Sequence, residues 1–150
     1  MENLLARNNG ELLEGKLKLT LKTLQSKTKS FGHRFPDTKT ARSGILPPQP
    51  GDYMILVPGN AVLIECKSTN ANTNLLSMAH KGEVGLRQIA HHRIWHRSGH
   101  PSLYLWMNIK RDIIEWHDGK NVVEKVDKPL FVGTSKDMLE SLKTIIGNLK

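Results

Sequence analysis

The sequence has little cysteine and no long apolar run, and each of these shortages excludes a class of protein. The single cysteine, Cys66, cannot form an internal disulfide, and one thiol is too few for a cysteine-based zinc site. No run of about 18 apolar residues predicts a membrane span. The first residues also lack the basic and then apolar regions of a signal peptide. We therefore expect a cytoplasmic protein without membrane contact, whose hydrophobic core alone holds the fold.

Acidic residues are scarce relative to basic ones. The 150 residues include 22 Lys and Arg against 14 Asp and Glu, which gives a formal net charge of +8. Residues 15–42 contain eight of the basic residues and only one acid, Asp37. A basic surface is common in soluble proteins, but an excess this uneven favours a polyanionic partner such as nucleic acid. The length suffices for one core, so we predict a single domain over residues 1–150.

Leucine spacing predicts a first amphipathic helix over residues 11–24. Its apolar face is formed by Leu13, Leu17, Leu21 and Leu24. Residues 25–51 then lose this periodicity and concentrate Ser, Thr, Gly, Pro and basic residues, which predicts a long, basic and irregular segment. A short strand at residues 30–34 is the alternative for part of it.

Residues 53–57 and 61–67 are two β-rich runs separated by Pro58-Gly59-Asn60, which predicts an antiparallel hairpin. The second run begins apolar on both faces, as a buried central strand does, yet it ends in Glu65 and Lys67. Charges are costly in such a strand. This end of the hairpin is therefore the first candidate for a functional site.

The rest of the chain predicts a mixed α/β (α+β) fold. A second helix is expected at residues 83–97, with a core-facing stripe of Leu86, Ile89, Ala90 and Ile94. Further strands are expected at residues 102–108, 112–116 and 122–126, the last two joined by an Asp118-Gly119 turn. A terminal amphipathic helix follows a capping box formed by Thr134 and Asp137.

Two carboxylates and an amine are expected to converge at the end of the hairpin. The period of two places Leu63, Glu65 and Lys67 on one face, and Cys66 on the other as a small buried hydrophobe. If Gly59-Asn60 forms the turn, Asp52 lies opposite Lys67, close to Glu65. Such a set suits phosphodiester hydrolysis with Mg²⁺ or Mn²⁺, because carboxylates concentrate the cation and a lysine orients water or stabilises developing charge. A charged strand end with an incidental ion pair is the alternative.

The first helix offers one more acid. Glu14 shares a helical row with Leu17 and Leu21 and so leans toward the core, whereas Glu11, one turn earlier, is the alternative. Both could instead be ordinary first-turn acids favoured by the helix dipole.

The four-residue spacing of His92, His96 and His100 invites a zinc hypothesis. The Gly99-His100-Pro101 break is expected to remove the third ligand, so we do not favour it.

The Gly51-Asp52 pair, the hairpin and Glu65-Cys66-Lys67 resemble the PD-(D/E)xK nuclease superfamily, with Gly-Asp in place of Pro-Asp. The likeness is greatest to RecU-type Holliday junction resolvases, since Leu13-Glu14, a basic linker and a helix bearing Gln88 occur in the same order. It implies a restriction-endonuclease-like core, in which a central mixed sheet with a catalytic hairpin is flanked by helices.

The resemblance also implies roles for individual residues. Asp52 and Glu65 would bind the Mg²⁺ or Mn²⁺ ion together with the Cys66 carbonyl, and Lys67 would be the catalytic lysine. Glu14 would be an accessory acid, and Gln88 would lie near the phosphate or water. The protein would then be a homodimeric endonuclease that cuts four-way DNA junctions in recombination or repair, in a bacterial cell or a phage-infected one.

DNA contacts are predicted at basic residues, with Gln88 beside them: Arg34, Lys39, Arg42, Lys81, Arg87, Arg93 and Arg97. Two rival functions remain open. One is a nuclease for duplex, flap or nicked DNA, and the other is a DNA-binding module without catalysis.

Overall fold

A computed structural model describes residues 2–35 and 49–149. The strands are β1 (Phe31–Arg34), β2 (Tyr53–Val57), β3 (Asn60–Thr69), β4 (Ser102–Asn108), β5 (Ile113–Asp118) and β6 (Phe131–Gly133). The helices are α1 (Glu2–Lys27), α2 (Leu75–Ala79), α3 (Gly82–Arg97), α4 (Gly119–Val123) and α5 (Met138–Gly147), the last preceded by a 3₁₀ turn at Ser135–Asp137. Within these two ranges no helix is both long and apolar enough to cross a membrane.

The six strands form one mixed sheet in the order β1-β2-β3-β4-β5-β6. Neighbouring strands are antiparallel except β3 and β4, which are parallel and are connected through α2 and α3. A parallel pair needs such a crossover, whereas antiparallel neighbours need only a short turn. The mixed α/β class predicted from the sequence is therefore confirmed.

Two hydrophobic clusters cover the two faces of the sheet. The leucine row of α1 is buried against one face, together with Met138 and Leu142 at the C-terminal helix α5. On the other face, Leu75, Ile89 and Val122 from α2, α3 and α4 pack against the β4 side chains of that face. The sheet is thus the middle of three layers, and β3 and β4 lie at its centre.

The predicted first helix is confirmed, and it is longer than its leucine row, since α1 runs from Glu2 to Lys27. The irregular segment predicted at residues 25–51 is corrected at its start. Residues up to Lys27 belong to α1, and β1 occupies Phe31–Arg34, which confirms the alternative of a short strand. Residues 36–48, with the predicted DNA contacts Lys39 and Arg42, lie outside the described part of the chain.

The predicted core-facing stripe of α3 is correct at Ile89 and wrong at Leu86 and Ile94. Leu86 and Ile94 are 58% and 59% exposed, whereas Gly85, Ile89 and His92 are buried. Close contact with α2 fixes this orientation, because a Cβ at residue 85 would lie 2.7 Å from the Ala79 carbonyl oxygen. Gln88 and His92 form hydrogen bonds with Lys67 and Ser102 of the sheet. These bonds keep the same face of α3 against the sheet. Tertiary contacts therefore outweigh the apolar stripe.

The hairpin expected after Asp118 is also wrong. Asp118 caps α4 instead, since its Oδ1 accepts a hydrogen bond of 2.9 Å from the Lys120 N–H. The residue that follows, Gly119, lies so close to β4 that a Cβ there would overlap the Ser102 hydroxyl. The strand beside β5 is β6, at Phe131–Gly133, rather than residues 122–126. The capping box of Thr134 and Asp137 is confirmed.

Candidate active site

The β2–β3 hairpin positions the candidate site, and its register differs from the predicted one by two residues. Val57 pairs with Asn60 and Tyr53 pairs with Ile64, so the turn is Pro58-Gly59. Gly59 has φ of +81°, which suits the third position of a turn with proline before it. Continuing the ladder by one residue places Asp52 opposite Glu65 rather than opposite Lys67. The two carboxylates are therefore nearer neighbours than predicted.

The glycine before Asp52 allows this approach. A Cβ at residue 51 would lie 2.8 Å from Leu63 Cδ1 and 3.2 Å from the Ile64 carbonyl oxygen. Without that atom, the Asp52 N–H donates to the Ile64 oxygen at 3.0 Å. The Asp52 carboxylate accepts a second hydrogen bond, from the Cys66 N–H to Oδ2, at 2.8 Å. Asp52 is thus fixed to β3 by both its backbone and its side chain.

Glu65 is a buried acid that lacks a full set of partners. It is 2% exposed, and its Oε2 has no hydrogen-bond partner among the described residues. Its Oε1 lies 3.7 Å from Lys67 Nζ. Glu65 pairs with Tyr104 of β4 on the α3 side of the sheet, whereas Cys66 packs against the cluster on the α1 side. The predicted division of these side chains between the two faces is confirmed.

Burial and mutual repulsion perturb both carboxyl groups. Burial is the main reason that the pKa of Glu65 is raised well above its ordinary value, and the negative charge of Asp52 raises it further. The Lys67 ammonium opposes this shift less strongly. Burial also raises the pKa of Asp52, although hydrogen bonds with the Cys66 N–H and with the Glu65 carboxyl group lower it, and the Lys67 charge lowers it further. A positive charge placed between the two acids would therefore favour the ionised form of both.

Lys67 lies between Glu65 and α3. Its Nζ donates a hydrogen bond of 2.7 Å to Gln88 Oε1, and its side chain is 19% exposed. The ammonium group is therefore held in place and still reaches the protein surface. This contact gives Gln88 a positioning role on Lys67, in addition to the place near phosphate or water that the resemblance implies.

Glu14 lies near this site from the opposite side of the hairpin. Its Oε2 is 3.6 Å from Arg34 Nη2, and its backbone carbonyl accepts a hydrogen bond of 3.4 Å from the Tyr53 hydroxyl. The Glu14 charge contributes to the raised pKa of Glu65 and, after burial, to that of Tyr53, which is about 12. Glu11 is exposed. Of the two acids weighed from the sequence, the geometry therefore favours Glu14.

The donor set fits a hard divalent cation. Among residues 2–35 and 49–149, no three His, Cys, Asp or Glu side chains form a metal-binding group. Mg²⁺, however, commonly takes one or two carboxylates and completes its shell with water and substrate phosphate. Asp52 and Glu65 supply two carboxylates on paired strands, and the buried Glu65 Oε2 still needs a partner. These two acids could hold the ion together with the Cys66 carbonyl.

The predicted DNA contacts lie at different distances from this site. Arg34 is close, because its charge acts on the pKa of Asp52. Arg87, Arg93 and Arg97 are exposed on α3, and Lys81 occupies the N-cap position of this helix without a side-chain capping hydrogen bond. Arg93 and Arg97 line a cavity of about 520 Å³ with Lys120 and Glu124, nearer the C-terminal end of α3. The structure thus brings Arg34 and Gln88 to the site and leaves the other α3 cations on the helix surface.

The histidines considered for zinc have a different arrangement. His92 Nδ1 and His96 Nε2 both contact Ser102 Oγ, at 2.8 and 2.9 Å. His100 Nδ1 instead accepts a hydrogen bond of 3.4 Å from the Ala61 N–H. Burial lowers the pKa of His92 to about 3, so this ring is neutral. Sequence reasoning missed Ser102, since nothing in the strand pattern marks its hydroxyl as a partner of the helix.

No known protein-family model matches the chain, and no curated protein shows significant similarity to it. The geometry of residues 52, 65, 67 and 88 and the motif resemblance are therefore what indicate a function.

Proposed function

We propose that the protein is a metal-dependent DNA endonuclease of the PD-(D/E)xK type. The observation that carries the proposal is the convergence of the partly exposed Asp52 with the buried Glu65, whose Oε2 has no hydrogen-bond partner within the described part of the chain, and with Lys67 beside them. A buried polar atom without a partner is costly, and a buried acid more so once it is ionised, unless a ligand compensates. A mixed sheet with this hairpin at its centre and helices on both faces supports the restriction-endonuclease-like core that the resemblance implies.

Asp52, Glu65 and the Cys66 carbonyl would hold Mg²⁺ or Mn²⁺ in this proposal. A bound divalent cation supplies a Lewis acid for the phosphoryl oxygen and lowers the pKa of water. The protein's own contribution is to fix both acids: Asp52 by the Cys66 N–H and Glu65 by its place in a central strand. Fixed ligands limit the reorganisation needed during the reaction.

Lys67 has a separate role. Its ammonium group, aimed by Gln88, can donate to a non-bridging phosphate oxygen or orient the attacking water. Glu14 lies further out and is paired with Arg34, so its accessory effect would be electrostatic. The surrounding positive charge attracts a phosphate backbone without reading its sequence.

Removal of one carboxylate tests the proposal directly. Asp52→Asn and Glu65→Gln are expected to abolish Mg²⁺- or Mn²⁺-dependent cleavage while DNA binding in EDTA is retained or improved, because a negative charge is lost. Glu140→Gln is the matched control, since this acid is 74% exposed on α5. Normal cleavage by either site variant would contradict the assignment. DNA binding by the unaltered protein without any metal-dependent cleavage would instead favour a binding module.

The four-way junction is the substrate that the resemblance adds to this proposal. A homodimer would place two active sites at symmetry-related strands of such a junction. Cleavage of a four-way junction should be compared with cleavage of linear duplex arms of the same sequence at several salt concentrations. Faster cleavage of the junction supports a resolvase, whereas equal rates favour a nuclease for ordinary duplex DNA.

A further inference from the structure

A groove between α1 and the edge strand β1 begins beside the candidate active site. It has a volume of about 420 Å³. The polar residues and the tyrosine that line it are Lys18, Lys22, Gln25, Ser26, Arg34 and Tyr53. We call it the α1–β1 groove.

Close packing between the helix and the strand shapes the floor of this groove. A Cβ at Gly32 would lie 3.2 Å from Leu21 Cβ, so the missing side chain lets β1 approach α1. Leu21 and Tyr53, both largely buried, form an apolar base. The polar side chains rise on either side of it. A rigid apolar floor with polar walls suits an extended polymer whose charges face the walls.

The charge of the α1–β1 groove is predominantly positive. Among the described residues its lining includes Lys18, Lys22 and Arg34 and no acidic side chain, although Arg34 pairs with Glu14 Oε2 at 3.6 Å, and the two lysines are exposed. The larger cavity of about 570 Å³ near Ser102 contrasts with it, because Asp118 lies there beside Lys120. Of these two, the α1–β1 groove is the one whose described lining includes cations and no acid. Cationic walls over a low-dielectric floor concentrate an anionic ligand.

The inner end of the groove lies beside the backbone of Asp52, on the α1 side of the sheet, while the Glu65 side chain lies on the α3 side. Arg34 pairs with Tyr53 between β1 and β2, and the Phe35 N–H donates to the Asp52 carbonyl oxygen at 2.9 Å. From that end, Lys18 and Ser26 lie successively farther along α1. Eight residues of helix span about 12 Å. About three phosphates of one strand fall within that length when a duplex lies parallel to the groove, because each strand of B-DNA carries one phosphate per roughly 3.4 Å of helix axis.

We propose that the α1–β1 groove binds the backbone phosphates of the DNA strand that continues from the phosphate at the active site. This inference rests on the proposed nuclease function and adds the path of the strand. Lys18 and Lys22 neutralise phosphates, while Gln25 and Ser26 offer neutral hydrogen-bond donors. Contacts of this kind fix the position of a strand relative to the cleaved bond and do not depend on its base sequence.

The test compares two double variants with equal loss of charge. Lys18→Gln/Lys22→Gln removes the groove lysines, and Lys125→Gln/Lys128→Gln removes two exposed lysines from the α4–β6 connection, at the opposite edge of the sheet. Dissociation constants for a labelled DNA are measured by fluorescence anisotropy in EDTA over a range of salt concentrations. The groove variant should reduce the magnitude of the slope of log K against log salt by about 1.4 to 1.8, and its affinity near 0.1 M salt should fall by about 25- to 60-fold.

The control variant should change the slope much less. Lys18→Arg/Lys22→Arg keeps both positive charges and should therefore have the same slope as the wild type. Equal losses in the two double variants would overturn the proposal, since they would reflect net charge alone. Unchanged DNA affinity with weaker binding to anionic lipid vesicles would also overturn it, in favour of a membrane surface. Binding is measured without metal, so the groove and the nuclease site can fail separately. If the groove variant binds DNA more weakly but Asp52→Asn still cleaves normally, the groove is supported and the nuclease site is refuted.

Discussion

Replacement of Glu65 by glutamine should stabilise the metal-free protein while it abolishes cleavage. In the folded protein the Glu65 carboxylate is 2% exposed, and one of its oxygens has no hydrogen-bond partner among the described residues. The neutral amide has nearly the same shape and no charge to desolvate. A buried group without its partner costs about 1–3 kcal/mol, and a charged one costs more.

Lys67 opposes this gain, because Glu65→Gln removes its ion-pair partner. Three observations make the opposing effect the smaller one. The separation of Nζ and Oε1 is long, at 3.7 Å, and Lys67 keeps its 2.7 Å hydrogen bond to Gln88. The Asp52 charge also affects the pKa of Glu65 more than the Lys67 charge does. The substitution therefore removes a repulsion by Asp52 that is stronger than the attraction to Lys67 that it also removes.

The effect should depend on pH in a defined direction. The folded-state pKa of Glu65 is raised above its ordinary value of 4.5 by burial and by Asp52. Below that ordinary value the acid is protonated in both the folded and unfolded states, so the wild type carries no penalty there. As the pH rises through the folded-state pKa, the penalty develops fully. The advantage of Glu65→Gln should therefore be small in acid and largest at neutral and alkaline pH.

Thermal unfolding followed by circular dichroism measures this difference. An increase of about 1–3 kcal/mol in the free energy of unfolding corresponds to a rise in Tm of roughly 2–12 °C for a protein of this size. Glu140→Gln, which alters an exposed acid, should leave Tm unchanged. Mn²⁺ at 100 times its dissociation constant should stabilise the wild type by about 2.7 kcal/mol. It should stabilise Glu65→Gln much less. A lower Tm for Glu65→Gln at pH 8, or equal stabilisation of both proteins by Mn²⁺, would refute the reasoning.

Three further experiments probe the arrangement of α3 and its neighbours. Gly119→Ala should destabilise the fold by about 1–3 kcal/mol in urea unfolding, since its Cβ would overlap the Ser102 hydroxyl, and Ser102→Ala in the same chain should recover part of the loss. Ile89→Ala should lower the free energy of unfolding by about 2–5 kcal/mol, whereas Leu86→Ala should lower it by less than about 0.5 kcal/mol. The reverse order would contradict the orientation of α3. Gln88→Ala should slow cleavage by about 10- to 100-fold in single-turnover assays with little change in DNA affinity in EDTA, because Lys67 loses its acceptor.

Periodic patterns predicted those elements whose side chains meet an apolar surface. The leucine row of α1 required only a spacing of three and four residues, and its members are buried as expected. The alternation in β3 correctly separated Glu65 and Lys67 from Cys66, because neighbouring residues of a strand point to opposite faces. The hairpin register was wrong by two residues, since Pro58-Gly59 was not identified as the two central residues of the turn.

Contacts between distant segments decided what these patterns could not. The apolar stripe of α3 predicted one orientation, but the approach of α2 at Gly85 and the hydrogen bonds of Gln88 and His92 selected another. Residues 119–123 form a helix because Asp118 caps them and Val122 packs on the sheet, although the local sequence favoured a turn and a strand. Gln88 was expected near the site, but its hydrogen bond to Lys67 was not foreseen.

The sequence by itself determined that this chain forms a mixed fold with a leucine-lined first helix and a hairpin ending in an acid and a lysine. It also determined the basic charge of the first third of the chain. Only the tertiary structure decided that Asp52 faces Glu65, that one Glu65 oxygen has no hydrogen-bond partner in the described part of the chain, and that α1 and β1 enclose a groove lined by lysines. Local periodicity fixes which side of an element is apolar. The pairing of charges across strands and helices depends on register and orientation, which are set when the layers pack together.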